Sequence, residues 1–478
     1  MTAVVWFRDD LRVGDNPALT AAMARGTRVL AVYVLDEVSP GVRPLGGAAR
    51  WWLHQSLQSL RASLERIGVP LVLRRGAAEA VLPAVATEAA ADAVFWNRRY
   101  GRAERTVDAA LKLGLRAAGL HVQSHAASLL YEPWTLMTGA GQPYSVFTPF
   151  WRRASSMPEP RRPLPAPEAL AGLNGSPQSA AVQSATVQSE PLESWGLQPS
   201  APDWAGGLRA AWRPGEQGAL DLLAEFLDEK LSLYPEQRDE PAEDVTSRLS
   251  PALRWGEISP HMVWHETMRV RAAAASGRIG SEGAASAFLR QLGWREFAAH
   301  VSFHAPDLHR VNWRREFDAF EWPPLDQGAL TAWQRGQTGV PLVDAGMREL
   351  WATGTMHNRV RMVVASYLSK NLLIDWRHGE EWFWQTLVDA DAASNPFNWQ
   401  WVAGSGADAA PYFRIFNPVL QQQKFDPHGS YVRRHVPEWG TPEYPEPLVD
   451  LGESRRAALA AYDRVKRATR SAPAPAPA

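Results

Sequence analysis

The chain has 478 residues, 45% hydrophobic and 21% charged, which is the composition of a globular protein too long for one ordinary core, so two or three domains are expected. With 50 Lys and Arg against 51 Asp and Glu, the net charge of −1 argues against a wholesale nucleic-acid coat but leaves room for a local basic face. Zero cysteines exclude disulfides, zinc–thiolate sites and iron–sulfur clusters.

Residues 1–130 alternate between two periods. Ala3–Phe7, Val29–Leu35, Pro70–Leu73, Ala93–Trp96 and Val122–Ser124 are short apolar runs suited to strands. Pro17–Arg25, Ala48–Ile67, Ala77–Ala90 and Arg102–Ala118 between them have helical spacing. Asp15 and Asn16 before Pro17 read as a helix start. This alternation predicts an α/β, doubly wound parallel sheet with helices on both faces. No GxGxxG follows the first strand, so a standard dinucleotide site there has little support. The N-terminus MTAVVWFRDDLR lacks a signal peptide's apolar region, and no run reaches membrane-spanning length, so a cytoplasmic location away from membranes is expected.

Residues 131–204 read as an interdomain linker. Pro158–Pro167 should be extended, and Asn174–Glu190, with its AVQSATVQS, has no evident core face. Residues 205–470 read as a large all-helical domain, with helices at Glu216–Leu231, Pro260–Ala274, Ala284–His300, Ala329–Arg335, Val343–Thr353, Val360–Asn371, Glu380–Leu387 and Glu453–Lys466. Residues 471–478 form a low-complexity, disordered tail.

Trp376 to Pro418 is the most telling stretch. It holds Trp376, Trp382, Trp384, Trp399 and Trp401 beside Asp389, Asp391 and Asn395. Aromatic walls with a few fixed polar groups suit a large planar heteroaromatic ligand, although each tryptophan taken singly reads better as core. The small-residue run GSGADAAP after NWQW reads as a loop that opens space. The chain has 22 Trp against 15 Phe and 10 Tyr, most of the Trp from Trp255 onward, which directs attention to that half.

TSRLSP, Thr246–Pro251, offers hydroxyls, a guanidinium and main-chain N–H groups for a phosphate or pyrophosphate; a plain helix cap is the bland alternative. WREF at Trp294–Phe297 and MHNRVRM at Met356–Met362 set arginines among aromatic residues, as nucleic-acid or flavin sites do and as solvated arginines over a Trp core also do. The pairs His261/His265 and His300/His304 lack HExxH and a third ligand, and Gly404-Ser405-Gly406 is no nucleophile elbow.

Together, VVWFRDDLRVGDNPAL, TSRLSP, WREF, MHNRVRM, LLIDWR, DADAASN, NWQW and DAAPYFRIFNP resemble the DNA photolyase/cryptochrome family, most closely a bacterial cyclobutane pyrimidine dimer photolyase. The resemblance spans nearly the whole chain. It implies an N-terminal antenna domain and a helical domain that binds FAD, active as reduced FADH⁻. By motif, Tyr234, Thr246, Ser247, Arg248, Leu249 and Ser250 would hold the FAD phosphates. Phe383, Asp389 and Asp391 would line the adenine–ribose and isoalloxazine, with Arg361 paired to Asp389. Asn395 would face flavin N5 and, by reorienting its amide, bond to N5–H or to bare N5. Trp399, Trp376 and Trp322 match the relay that carries electrons from the surface to the flavin.

The resemblance further implies a substrate: UV-damaged DNA whose pyrimidine dimer is flipped into a pocket above the flavin. Trp294 and Trp401 would be its walls, with Asn358, Arg359 and Met362 near base edges or backbone. Arg238, Arg254, Arg433 and Gln421 would contact DNA at the rim. Gln291 stands where dimer-repairing members carry Glu, and resembles (6-4) photolyases and animal cryptochromes there; Asn358 stands where the (6-4) motif has a second His. Thr355 replaces a common Trp. For the antenna, Glu104 occupies a pterin-contact position, but Ala103 replaces a neighbouring Asn, so methenyltetrahydrofolate is favoured over a deazaflavin and an empty site stays open. A monomeric repair enzyme is expected; a cryptochrome-like photoreceptor or a (6-4) photolyase is the alternative.

Overall fold

In the computed structural model, which describes residues 1–169, 187–275, 282–409 and 413–471, the N-terminal part is built on five parallel strands. These are β1 (Thr2–Phe7), β2 (Arg28–Leu35), β3 (Leu71–Arg75), β4 (Ala91–Asn97) and β5 (His121–His125), in the order β3-β2-β1-β4-β5. Every residue of β1 is buried, as a strand covered on both faces requires. Ala3, Val5 and Phe7 pack toward α1 (Pro17–Met23) and α2 (Gly47–Arg66), whereas Val4 and Trp6 pack toward α3 (Ala78–Glu88) and α4 (Arg102–Ala117). Asn16 caps α1 by accepting from the Leu19 N–H, with Pro17 in the first turn. Asp15 is no second cap: its Oδ1 accepts from the Leu164 N–H at 2.9 Å and from Arg161.

The stretch expected as a linker is only partly one. It contains α5 (Phe147–Ser155), whose Phe147, Phe150 and Ala154 are buried against a long later helix. Its far end returns to the sheet: the Glu190 N–H donates to Leu73 O at 2.8 Å, and Leu192, Trp195 and Leu197 join the core over α2. Pro158–Pro167 is extended. Most of the AVQSATVQS segment and all of 472–478 lie outside the described residues, as do 410–412 within DAAPYF.

The C-terminal part is helical throughout: α6 (Gly206–Ala211), α7 (Glu216–Glu225), α8 (Tyr234–Gln237), α9 (Ser250–Trp255), α10 (Pro260–Ala275), α11 (Glu282–His304), α12 (Gln327–Arg335), α13 (Pro341–Thr353), α14 (Asn358–Ser366), α15 (Trp376–Thr386), α16 (Ser394–Ala403), α17 (Pro418–Phe425), α18 (Ser430–His435) and α19 (Leu451–Ser471). The runs expected as single helices over 216–231 and 360–371 finish in π turns, Phe226–Lys230 and Tyr367–Asn371. α16 carries NWQW and gives no amphipathic stripe, because seven of its ten residues are buried around its circumference. The following Gly404-Ser405-Gly406 closes instead of opening space. The Gly406 N–H returns to Gln400 O at 2.9 Å, and Gly404 takes φ 96° at the helix end.

Glycine also sets the seam between the two parts. A Cβ on Gly46 would lie 2.0 Å from Trp384 O, and one on Gly256, at φ +64°, would lie 2.2 Å from Asp9 O. Polar contacts cross the same seam: Leu11 N–H to Trp255 O at 3.1 Å, Arg12 to Gly256 O at 2.8 Å, and Glu216 accepting the Val13 and Gly14 N–H groups at 2.8 Å each.

Candidate active site

The helical part surrounds a cavity of about 820 Å³, toward the upper end of the about 300–1,000 Å³ typical of small-molecule sites. One wall is the segment 246–250 that leads into α9. Thr246, Ser247, Arg248, Leu249 and Ser250 line the cavity, as does Tyr234. Arg248 takes the left-handed conformation at φ 52°, which leads its guanidinium over the Trp212 ring at 4.4 Å and onto Ala211 O at 3.0 Å. Ser250 is no helix cap; its hydroxyl crosses the cavity wall to Asp389 Oδ2 at 2.7 Å.

Asp389 is the anchor of the opposite wall. Arg361 grips it with both terminal nitrogens at 3.1 and 3.0 Å, and Arg361 is itself held by Met356 O and the Thr355 hydroxyl. Thr355, which departs from the common Trp, thus becomes part of the arginine's cradle. Asp391 accepts from the Ala393 and Ser394 N–H groups at 2.9 and 2.6 Å, ordering the first turn of α16. One turn on, Asn395 uses both amide hydrogens on Glu380: Nδ2 donates to its main-chain O at 3.0 Å and to Oε1 at 2.8 Å. Both amide hydrogens are thereby engaged, with Oδ1 left as the polar atom available to the cavity.

Trp399 lines the cavity at 2% exposure beside the edge of Phe383, 5.0 Å away. Gly379 makes room for it, since a Cβ there would lie 2.1 Å from Trp399 Cη2. Trp376 is fully buried and donates to Asn312 Oδ1 at 3.2 Å. Trp322 is half-buried, 4.3 Å from Phe320, and packs against the same core as the other two. Trp399 and Trp376 are both buried, and Trp322 is the most exposed of the three. The indole N–H of Trp399 has no hydrogen-bond partner among the described residues.

Gln291, Trp294, Asn358, Arg359, Met362, Trp401 and Arg238 also face this cavity. Trp294 is stacked flat on Phe147 of α5, with centroids 3.7 Å apart and planes 8° from parallel, and Trp151 continues the stack. Arg359 pairs with Asp239 at 2.9 Å. Burial pulls His357 down to about 4, so its neutral ring can accept the Arg359 N–H at Nδ1 while Nε2 meets Arg238 O at 3.0 Å. Of the other expected rim residues, Arg254 lines the cavity. It is held inside the seam by Asp9 at 2.7 Å and Ala390 O at 2.8 Å, where its charge pairs with a partly buried carboxylate. Arg433 turns onto Trp439 and Gln421 sits on α17, both off the cavity lining.

A second cavity, about 180 Å³, lies under the seam and contains Glu104 with Arg8, Tyr33, Arg43, Tyr100 and Trp384. Arg254, Asp391, Leu253 and Arg295 line both cavities and separate them. Among the described residues no group of three metal-ligating side chains converges, and no helix is long and apolar enough to cross a membrane.

Sequence reasoning missed Phe147, Glu380 and Arg43. Phe147 was masked by the Pro-rich context of its neighbours. The Glu380–Arg43 contact joins residues at opposite ends of the chain, and nothing in one sequence marks it.

The family model for the FAD binding domain of DNA photolyase matches residues 288–442, and the DNA photolyase model matches residues 3–168. A deoxyribodipyrimidine photo-lyase of Agrobacterium fabrum is 50% identical, covering 98% of each chain. Cryptochrome-1 of Arabidopsis thaliana is 36% identical over 98% of this chain and 72% of its own. The crystal structure of a class III photolyase from Agrobacterium tumefaciens superposes with a TM-score of 0.89 at 48% identity, covering 98% of each chain.

Proposed function

The chain belongs to the DNA photolyase/cryptochrome family, and on that premise we propose that it is a light-driven DNA-repair enzyme that opens cyclobutane pyrimidine dimers with the help of reduced FAD. When bound, the flavin supplies under blue light the electron that opens the two bonds joining the pyrimidines, and it takes that electron back with no net redox change. Everything else falls to the chain. The Thr246 and Ser247 hydroxyls and the main-chain N–H groups of residues 246–250 would hold the phosphates, since the Ser250 hydroxyl donates to Asp389. The Ser250–Asp389–Arg361 contacts fix the wall against which the cofactor rests. Asn395 offers Oδ1 at the N5 position, and Asp391 orders the helix turn that carries it. Trp294 and Trp401 stack the flipped dimer and exclude water, with Asn358, Arg359 and Met362 around it. Trp322, Trp376 and Trp399 conduct electrons inward to keep the cofactor reduced.

One observation supports this most: a single cavity is lined both by the phosphate-holding segment with Asp389 and Asn395, and by the aromatic face of Trp294 and Trp401. A ligand held by the first set is adjacent to a base held by the second. Glu104 in the second cavity supports an antenna chromophore there, methenyltetrahydrofolate before a deazaflavin, and the enzyme acts as a cytoplasmic monomer. Gln291 in the cavity favours a second reading, a photoreceptor or a (6-4) photolyase. Oligonucleotides carrying either lesion decide. Blue light with reduced FAD should remove the cyclobutane dimer and leave the (6-4) product; persistence of both would favour the photoreceptor, and loss of only the (6-4) product the other enzyme.

A further inference from the structure

The connection between β2 and α2 carries Arg43 across the seam to the one carboxylate that holds Asn395. Its Nη1 meets Glu380 Oε1 at 2.8 Å and its Nη2 meets Oε2 at 2.9 Å, a two-pronged contact, with Glu381 Oε2 at 2.5 Å as a third acceptor. The guanidinium carbon lies over Trp384, 4.1 Å from the ring centroid. Glu380 is 2% exposed, and the Oε1 that Arg43 grips is the same atom that accepts from Asn395 Nδ2 at 2.8 Å.

We propose that Arg43, a residue of the N-terminal domain, is a positioning residue for the flavin: by keeping Glu380 ionised it locks the Asn395 amide with Oδ1 toward the cavity, and the site thereby favours N5 carrying a proton. The inference rests on the FAD reading above. An ionised Glu380 is an acceptor only, so Asn395 must turn its NH₂ toward it and its oxygen away. A neutral Glu380 gains an O–H that can donate to Oδ1, which lowers the cost of turning the NH₂ to the cavity, as suits bare N5, although the turn still gives up the Nδ2 bond to Glu380 O at 3.0 Å.

Burial pushes Glu380 toward that neutral form, and the Arg43 contact opposes it. The other groups facing it are few. Glu381, on the same helix, acts in the direction of burial, and Asn395 on α16 donates to the charged form. His309, which burial holds down to about 4, adds no charge at neutral pH. Burial is the larger influence, and Arg43 is the principal group that opposes it in favour of the charged carboxylate.

The test uses the purified FAD-bound protein with Arg43→Gln, Glu380→Gln and the double variant. The readouts are the flavin midpoint potential, its pH dependence, and the infrared band of a protonated carboxyl. In Arg43→Gln the potential should fall, its pH dependence should weaken, and a carboxyl band should arise that the double variant lacks. Glu380→Gln with Arg43 intact should lower the potential in the same direction, which serves if Arg43→Gln does not fold. FAD-bound Arg43→Gln with an unaltered potential and no carboxyl band would overturn the proposal, as would an unaltered potential in Glu380→Gln. Protein that takes up no FAD at all contradicts the functional reading instead, and the carboxyl band still tests Arg43 on the protein alone.

Discussion

Gln291 lines the cavity beside Trp294 and can donate a hydrogen bond to a flipped dimer, though it cannot carry charge or shuttle a proton. A lost neutral hydrogen bond is worth about 1 kcal/mol, or about fivefold in rate. Gln291→Ala should therefore slow dimer splitting about fivefold in a single-turnover flash experiment while FAD content stays unchanged. Away from the site, burial pushes Glu257 from its ordinary 4.5 up to about 7, although Trp52 Nε1 at 3.1 Å and the Ser56 hydroxyl donate to it. The folded chain then holds a proton that the unfolded chain has released. Stability falls as pH rises from about 4.5 to about 7 and levels off beyond, by on the order of 3 kcal/mol from this residue. Urea midpoints at about pH 5 and about pH 8 should differ less in Glu257→Gln than in the parent; an equal difference would show that Glu257 stays ionised. Composition and motif pointed to Asp389, Asn395 and the tryptophans, whose residue types carry the chemistry. They could not point to Glu257 or Glu380, since a glutamate reads as surface until its burial is seen.

Elements were legible where one periodicity dominated. The inner strands β1, β2 and β4 carry the apolar runs a doubly covered sheet needs, edge strand β5 (HVQSH) does not, and the long helices kept their 3.6-residue stripe. α16 escaped because it is buried all round, and α5 because prolines follow closely behind it. Yet α5 supplies the face on which Trp294 lies, with Phe147 stacked at 3.7 Å. Truncating a buried aromatic ring costs about 3–5 kcal/mol. Phe147→Ala should lower stability by that order and also weaken binding of dimer-containing DNA, because Trp294 loses its backing; Phe147→Leu should recover most of the stability and little of the binding. Equal binding by both variants and the parent, measured by fluorescence titration, would remove Phe147 from the substrate wall. In α15, a Cβ on Gly379 would press on Trp399 and Leu368. Gly379→Ala should slow light-driven reduction of the oxidised cofactor without preventing chemical reduction, read from the flavin absorbance.

At the scale of the molecule, the seam joins two cavities into one device. Arg254 and Asp391 line both, Arg43 reaches from the second cavity to the carboxylate behind Asn395, and Gly46 permits the close approach of α2 to α15. The order of domains could be read along the chain, whereas these contacts between distant residues could not. The central claim is that the protein lends an electron to a dimer and recovers it. The most direct measurement is anaerobic: chemically reduced, FAD-bound protein is mixed with excess dimer-containing oligonucleotide, the reductant is removed, and repaired dimers and reduced flavin are counted under blue light. Many dimers should be repaired per flavin, none in the dark, with the flavin still reduced at the end. Dimers that persist in the light, or one flavin oxidised for each dimer opened, would contradict the account.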